Sequence, residues 1–139
     1  DLVRSRGLGD VYKRQMFTFI PPFKNLQEIL SNHKLAALGD AYVNFLYSLA
    51  ISKKSGEPVG VKVDSRLLAE ALRKAGLRQY LPSRTDRHKQ ADAAEALIVY
   101  TWLKGLMSLE EGVNILERHK DEVEGFCNLL ILAKKKLNL

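Results

Sequence analysis

Three acidic residues, Asp40, Asp92 and Glu95, stand in otherwise apolar surroundings. Asp40 lies in Lys34–Tyr47, where Leu35, Leu38, Tyr42, Phe45, Leu46 and then Leu49 recur at three- and four-residue spacing, the signature of a buried amphipathic helix. Asp40 falls on another stripe, in line with Ala36 and Asn44. Gly39 precedes it inside the helix, where glycine costs about 1 kcal/mol relative to alanine. Close approach of another backbone or of a ligand beside Asp40 would compensate. A tight helix crossing with a solvated aspartate next to it is the plainer alternative. Asp92 and Glu95 are three residues apart in a second helical stretch, Gln90–Gly105, so both carboxylates point the same way. Its expected core stripe is Ala94, Leu97, Ile98, Thr101 and Trp102. If the two helices pack together, the three acids converge. Carboxylates ~4 Å apart repel by about 4 kcal/mol per pair at an effective dielectric of about 20. A hard divalent cation, Mg²⁺ or Mn²⁺, relieves that repulsion, and it prefers carboxylate oxygens plus water.

A basic cluster, Arg84, Arg87, His88 and Lys89, opens the second stretch. That is the end of a helix where the dipole disfavours cations. Contact with nucleic-acid phosphates beside the acids would give it a purpose; a solvated entry loop is an equally good account. His88 lies one turn before Asp92 and is placed to hydrogen-bond it rather than to ligate an oxygen-preferring ion.

The elements that must position these residues read as helices. Lys24–Ser31 is a short first helix, with Ser31 or Asn32 capping the central one from about His33 to Lys53. Ser55–Pro58 and Gly60 mark a loop. Asp64 or Ser65 starts a middle helix running to Ala75, stopped by Gly76. Leu77–Leu81 is a tight turn, and Thr85 or Asp86 caps the helix of the acidic pair, which Gly105 ends. Ser108 and Glu111 form a capping box. A last helix covers about Lys120–Lys136, with Val123, Phe126, Cys127, Leu130 and Ile131 on one face; whether it joins its predecessor is open. Lys134–Lys136 suits the negative end of that helix. No strand pattern exceeds Val59–Val63, so the expected fold is all-α and a single domain.

Leu-Gly-Asp-Ala at 38–41 and Asp-x-x-Glu-Ala-Leu-Ile at 92–98 resemble the two acidic motifs of the ribonuclease III catalytic domain. Val63–Ala69, Ala71-Leu72, Gly76-Leu77 and Tyr80-Leu81 resemble the family's middle helix and following turn. The resemblance covers roughly residues 35–116 and is nearest in flavour to short archaeal members, with Mini-III ribonucleases similar in size. It implies a ribonuclease III-like helical endonuclease fold. The implied chemistry is metal-dependent hydrolysis of phosphodiester bonds in double-stranded or structured RNA by a homodimer. Asp40, Asp92 and Glu95 would be the catalytic metal ligands for Mg²⁺ or Mn²⁺, with Arg84, Arg87, His88 and Lys89 as substrate-binding residues. The family's catalytic motif carries a ligating glutamate four residues before the aspartate; here that residue is Ala36, and His33 stands one turn earlier where another family acid often lies. Three of four expected acids are therefore present. The residues after Leu116 are too few for a double-stranded-RNA-binding domain.

Residues 1–15 have no sustained periodicity and resemble translated adapter read-through, with Met16 a plausible native start, so the domain is taken as 16–139. The whole chain carries 22 basic and 16 acidic side chains. Without Arg4, Arg6, Lys13, Arg14, Asp1 and Asp10 these fall to 18 and 14, leaving +4, a charge that permits a polyanionic partner without requiring one. Lone Cys127 reads as a small core residue and is compatible with a reducing, cytoplasmic compartment. No membrane span is expected. Zinc-type Cys/His spacing, a nucleophile elbow and a lysine-bearing phosphate loop are all absent. Two functions remain: a metal-dependent endoribonuclease, or a related dimer that lost the chemistry and binds RNA or scaffolds a complex. Ala36 favours the second and the retained acids the first.

Overall fold

A computed structural model describes residues 17–139; residues 1–15 and Met16 lie outside the described residues. Among the described residues six α-helices follow in order: α1 Leu26–Leu30, α2 His33–Ser55, α3 Ser65–Lys74, α4 Arg87–Leu103, α5 Leu109–Arg118 and α6 Glu122–Leu137. A 3₁₀ turn, Arg78–Tyr80, separates α3 from α4. Among the described residues there is no strand, and the fold is all-helical.

Each helix begins on a side chain that satisfies an otherwise orphaned backbone donor. Asn25, Asn32, Asp64, Asp86, Ser108 and Asp121 accept from the N–H groups of Glu28, Leu35, Arg66, Lys89, Glu111 and Val123. Ser108 and Glu111 close the reciprocal capping box. Gly76 takes φ 78° just past α3, a conformation that costs a residue without Cβ little. His119–Asp121 separates α5 from α6.

The hub is α4, not α2. Ala91, every residue from Ala93 to Thr101, and Leu103 are buried; after Gln90 the exposed exception is Asp92, with Trp102 half-buried. A helix apolar on all sides belongs at the centre of a fold. It packs against α1, α2, α3 and α6, while α5 bridges α2 and α6. Alanines 91, 93, 94 and 96 keep its N-terminal half thin, so neighbouring backbones approach closely. The buried stripe of α2 is Leu35, Ala36, Gly39, Val43, Leu46 and Ala50. Leu38 and Phe45, which the spacing assigns to the core, are 41% and 55% exposed. Ile131, assigned to the packed face of α6, is also exposed, whereas Cys127 is buried as expected.

By length and composition alone, α2 is long and apolar enough to cross a membrane. In this fold its apolar face covers α4, and its polar side is occupied. Val59–Val63 runs extended along α2, with its backbone bound to side chains one turn apart. Ser52 Oγ accepts from Val59 N–H (2.8 Å) and donates to Val59 O, Ser48 does the same with Val61, and Asn44 Oδ1 accepts from Val63 N–H (2.8 Å). Four residues of helix rise about 6 Å and two of an extended chain about 6.6 Å, so the registers match.

Candidate active site

Gly39 explains how Asp40 reaches α4. A Cβ on Gly39 would lie 2.3 Å from the backbone oxygen of Glu95 and 2.5 Å from its carbonyl carbon. The glycine therefore marks a backbone-to-backbone crossing whose other member is Glu95 itself. Both sequence accounts of Gly39 are met in part: another backbone approaches closely at a tight helix crossing, and Asp40 beside it is exposed to solvent.

At that crossing Glu95 is buried. Its carboxyl lies beside that of Asp40, near enough for the two to share a proton. Burial first, then this bond and the charges of Asp40 and Asp92, push the Glu95 pKa up to about 8. In its protonated form Glu95 can donate to Asp40. Asp92 sits at the solvent edge, where loss of hydration and the charges of Asp40 and Asp86 hold its carboxyl above the usual range, with His33 and His88 pulling the other way. The structure thus sets Glu95 beside Asp40 and brings Asp92 within reach of the Asp40 charge. Among the described residues, no three His, Cys, Asp or Glu side chains close into a preformed metal-ligand group. An all-oxygen donor set, crowded enough to retain a proton, suits a hard cation that keeps several of its waters.

Asn44 was not singled out for function by the sequence. Its Nδ2 donates to Asp40 Oδ1 at 3.2 Å, while its Oδ1 is held by the Val63 amide. The extended strap therefore fixes the amide that orients Asp40. The available signal was an asparagine one turn after the aspartate, on the same stripe.

The basic residues divide. Arg84, Arg87, His88 and Lys89 are all exposed, as is His33. Arg84 and Lys89 line a cleft with His33, Ala36 and Asp92, and Arg87 and His88 do not. His88 acts on Asp92 through charge. No hydrogen bond joins them in the described structure. The α4 N-terminus is already satisfied by Asp86, whose carboxylate accepts the Lys89 N–H at 2.8 Å.

No curated protein matches the chain. A family model described as ribonuclease III matches residues 33–136, a span that begins with α2, ends within α6, and contains both acids of the Gly39 crossing and Asp92. The chain belongs to the ribonuclease III family.

Proposed function

We propose that this protein is a divalent-cation-dependent endoribonuclease that hydrolyses double-stranded or structured RNA as a homodimer, with Mg²⁺ or Mn²⁺ as the ion. The carrying observation is the Asp40–Glu95 contact across the Gly39 crossing, with Asp92 alongside. Family membership supports the coarser reading of a nuclease-type hydrolase acting on RNA.

Asp40, Glu95 and Asp92 would hold the ion. When bound, it lowers the pKa of a water and stabilises charge on the phosphate. The chain's own residues do the remaining work. Asn44 holds Asp40 toward the crossing. Glu95, retaining its proton to about pH 8, makes a proton the competitor of any cation there. Arg84 and Lys89 supply positive charge for the RNA backbone close to Asp92. Leu38, Ala41 and Phe45 form an exposed, largely apolar stripe along α2, with exposed Phe19 as a further apolar surface, and this supports pairing of two copies.

A cleavage assay on duplex RNA with Mg²⁺ or Mn²⁺ tests the reading. Wild type should cut, and Asp40→Asn and Glu95→Gln should each lose activity by roughly 100-fold or more. Cleavage unchanged in both variants overturns it. The second reading, a catalytically silent dimer that binds RNA or scaffolds a complex, is favoured by Ala36, an alanine where the family motif carries a ligand. RNA binding without cleavage in either ion selects it.

A further inference from the structure

The cleft beside Asp92 has a volume of about 220 Å³ and lies between the α1–α2 turn, the first turns of α2 and the chain leading into α4. Its apolar lining, the floor of the cleft, is buried Leu30 and Ala36, flanked by Leu81 and Pro82. Its rim carries Arg84 and Lys89, which make no ion pair among the described residues. We propose that this cleft seats one unpaired nucleotide of a structured RNA, its base on the apolar floor and its phosphate at Arg84 and Lys89. The inference rests on the ribonuclease reading and narrows its substrate class.

The lining selects the ligand. An apolar floor gives a bare phosphate or hydrated ion nothing to exchange for its water. A nucleotide brings a flat, weakly hydrated base and an anion together. A base held in a duplex is stacked and paired on both sides and cannot enter a concavity, whereas an unpaired one swings out at little cost. Asn32 Oδ1 is committed to the Leu35 N–H (2.8 Å), so its amide nitrogen is the donor left to meet a base edge. Ala36 makes room for all this. A glutamate there would occupy the floor and place a negative charge where the base must lie. Asp92 belongs to both cleft and acidic cluster, so the strand entering the cleft continues toward Asp40 and Glu95.

The test compares a short perfect duplex with the same duplex carrying one unpaired nucleotide, both without divalent ions, by fluorescence anisotropy. The bulged RNA should bind about tenfold more tightly. Ala36→Leu should erase that preference and leave the perfect-duplex affinity within roughly twofold. If Ala36→Leu does not fold, exposed Lys89→Glu serves, and it too should abolish the difference between the two RNAs. In parallel, AMP, adenosine and inorganic phosphate are titrated into ¹⁵N-labelled protein. AMP should shift the amides of Ala36, Arg84 and Lys89, adenosine less strongly, and phosphate at the same concentration not at all. Equal affinity for the two RNAs with no AMP shift overturns the inference and leaves the ribonuclease reading standing. Phosphate reproducing the AMP shifts reduces the cleft to an anion site and also overturns it. Failure to bind either RNA overturns both.

Discussion

Glu95 is held by two constraints that act on different parts of it. Its backbone is pressed against Gly39, and its carboxyl is pressed against Asp40. The first predicts that Gly39→Ala forces α2 and α4 apart. The gain of about 1 kcal/mol in helix propensity is outweighed by an overpacking cost of ~1–3 kcal/mol or more, so chemical denaturation should find a net loss of stability. The second gives a pH dependence. Folding raises the Glu95 pKa from an ordinary 4.5 to about 8, so the native state binds more protons than the unfolded chain in between. The protonated carboxyl's contribution is complete below about pH 4.5 and is lost as pH rises through about 8. With divalent ions chelated, Glu95→Gln should match wild type near pH 5 and exceed it above pH 8, by up to about 5 kcal/mol. Equal pH profiles for the two proteins would dissolve the carboxylate contact. Asn44 acts on Asp40 without belonging to the acidic set. Asn44→Ala should weaken Mn²⁺ binding in calorimetry by roughly tenfold, and Asn44→Asp, which cannot donate to Asp40, should not restore it. Ala36→Glu works in the opposite direction: tighter Mn²⁺ binding and faster cutting of perfect duplex, together with loss of AMP binding.

At the scale of elements, much was readable because helix starts are local chemistry. Asn32, Asp64, Asp86 and Ser108 cap helices at positions where a short polar acceptor precedes an apolar-periodic run. The hub was not readable in the same way. Periodicity reveals a helix with two different sides, and α4 is buried on nearly all of its sides, so its residues read as a narrow stripe and the spacing puts α2 at the centre instead. The spacing assigns Leu38 and Phe45 to the core for a related reason: it puts residues on a common face without saying what covers that face. Of the site, the acids and their helices were legible, whereas the Asn44–Val63 link was not, because it joins residues through a tertiary contact. The strap read as a short strand pattern, yet its partners are the side chains of Asn44, Ser48 and Ser52 rather than another strand. Each serine satisfies both an N–H and a carbonyl of the strap. Ser48→Ala and Ser52→Ala should therefore each cost about 1–2 kcal/mol. Hydrogen exchange at Val61 and Val59 should speed up respectively, while the Val63 amide, held by Asn44, remains protected.

At the scale of the whole molecule, the positions of charge and apolar area indicate how the folded surface would contribute RNA affinity under the proposed function. Arg84, Arg87, His88 and Lys89 cluster at one end of α4, while Leu38 and Phe45 project from α2 away from its packed stripe. Two copies joined through the α2 face would present two acidic clusters and two basic ends to one duplex. Each copy then raises the effective concentration of the other's site. The exposure of Leu38 and Phe45 makes this testable without disturbing the core. The double variant Leu38→Glu/Phe45→Glu should keep its helical circular dichroism and its thermal midpoint to within a few degrees. Light scattering should show wild type at twice the chain mass and the variant at the chain mass. Duplex affinity should fall by roughly tenfold or more, with a shallower dependence on salt because fewer phosphates are contacted at once. Mn²⁺ binding, which the proposal assigns to residues of a single chain, should be unaffected. A wild-type protein that is monomeric at micromolar concentration, or a monomeric variant that binds and cuts duplex as well as wild type, would sever the link between the apolar face and RNA, leaving each Asp40–Glu95 pair to work alone.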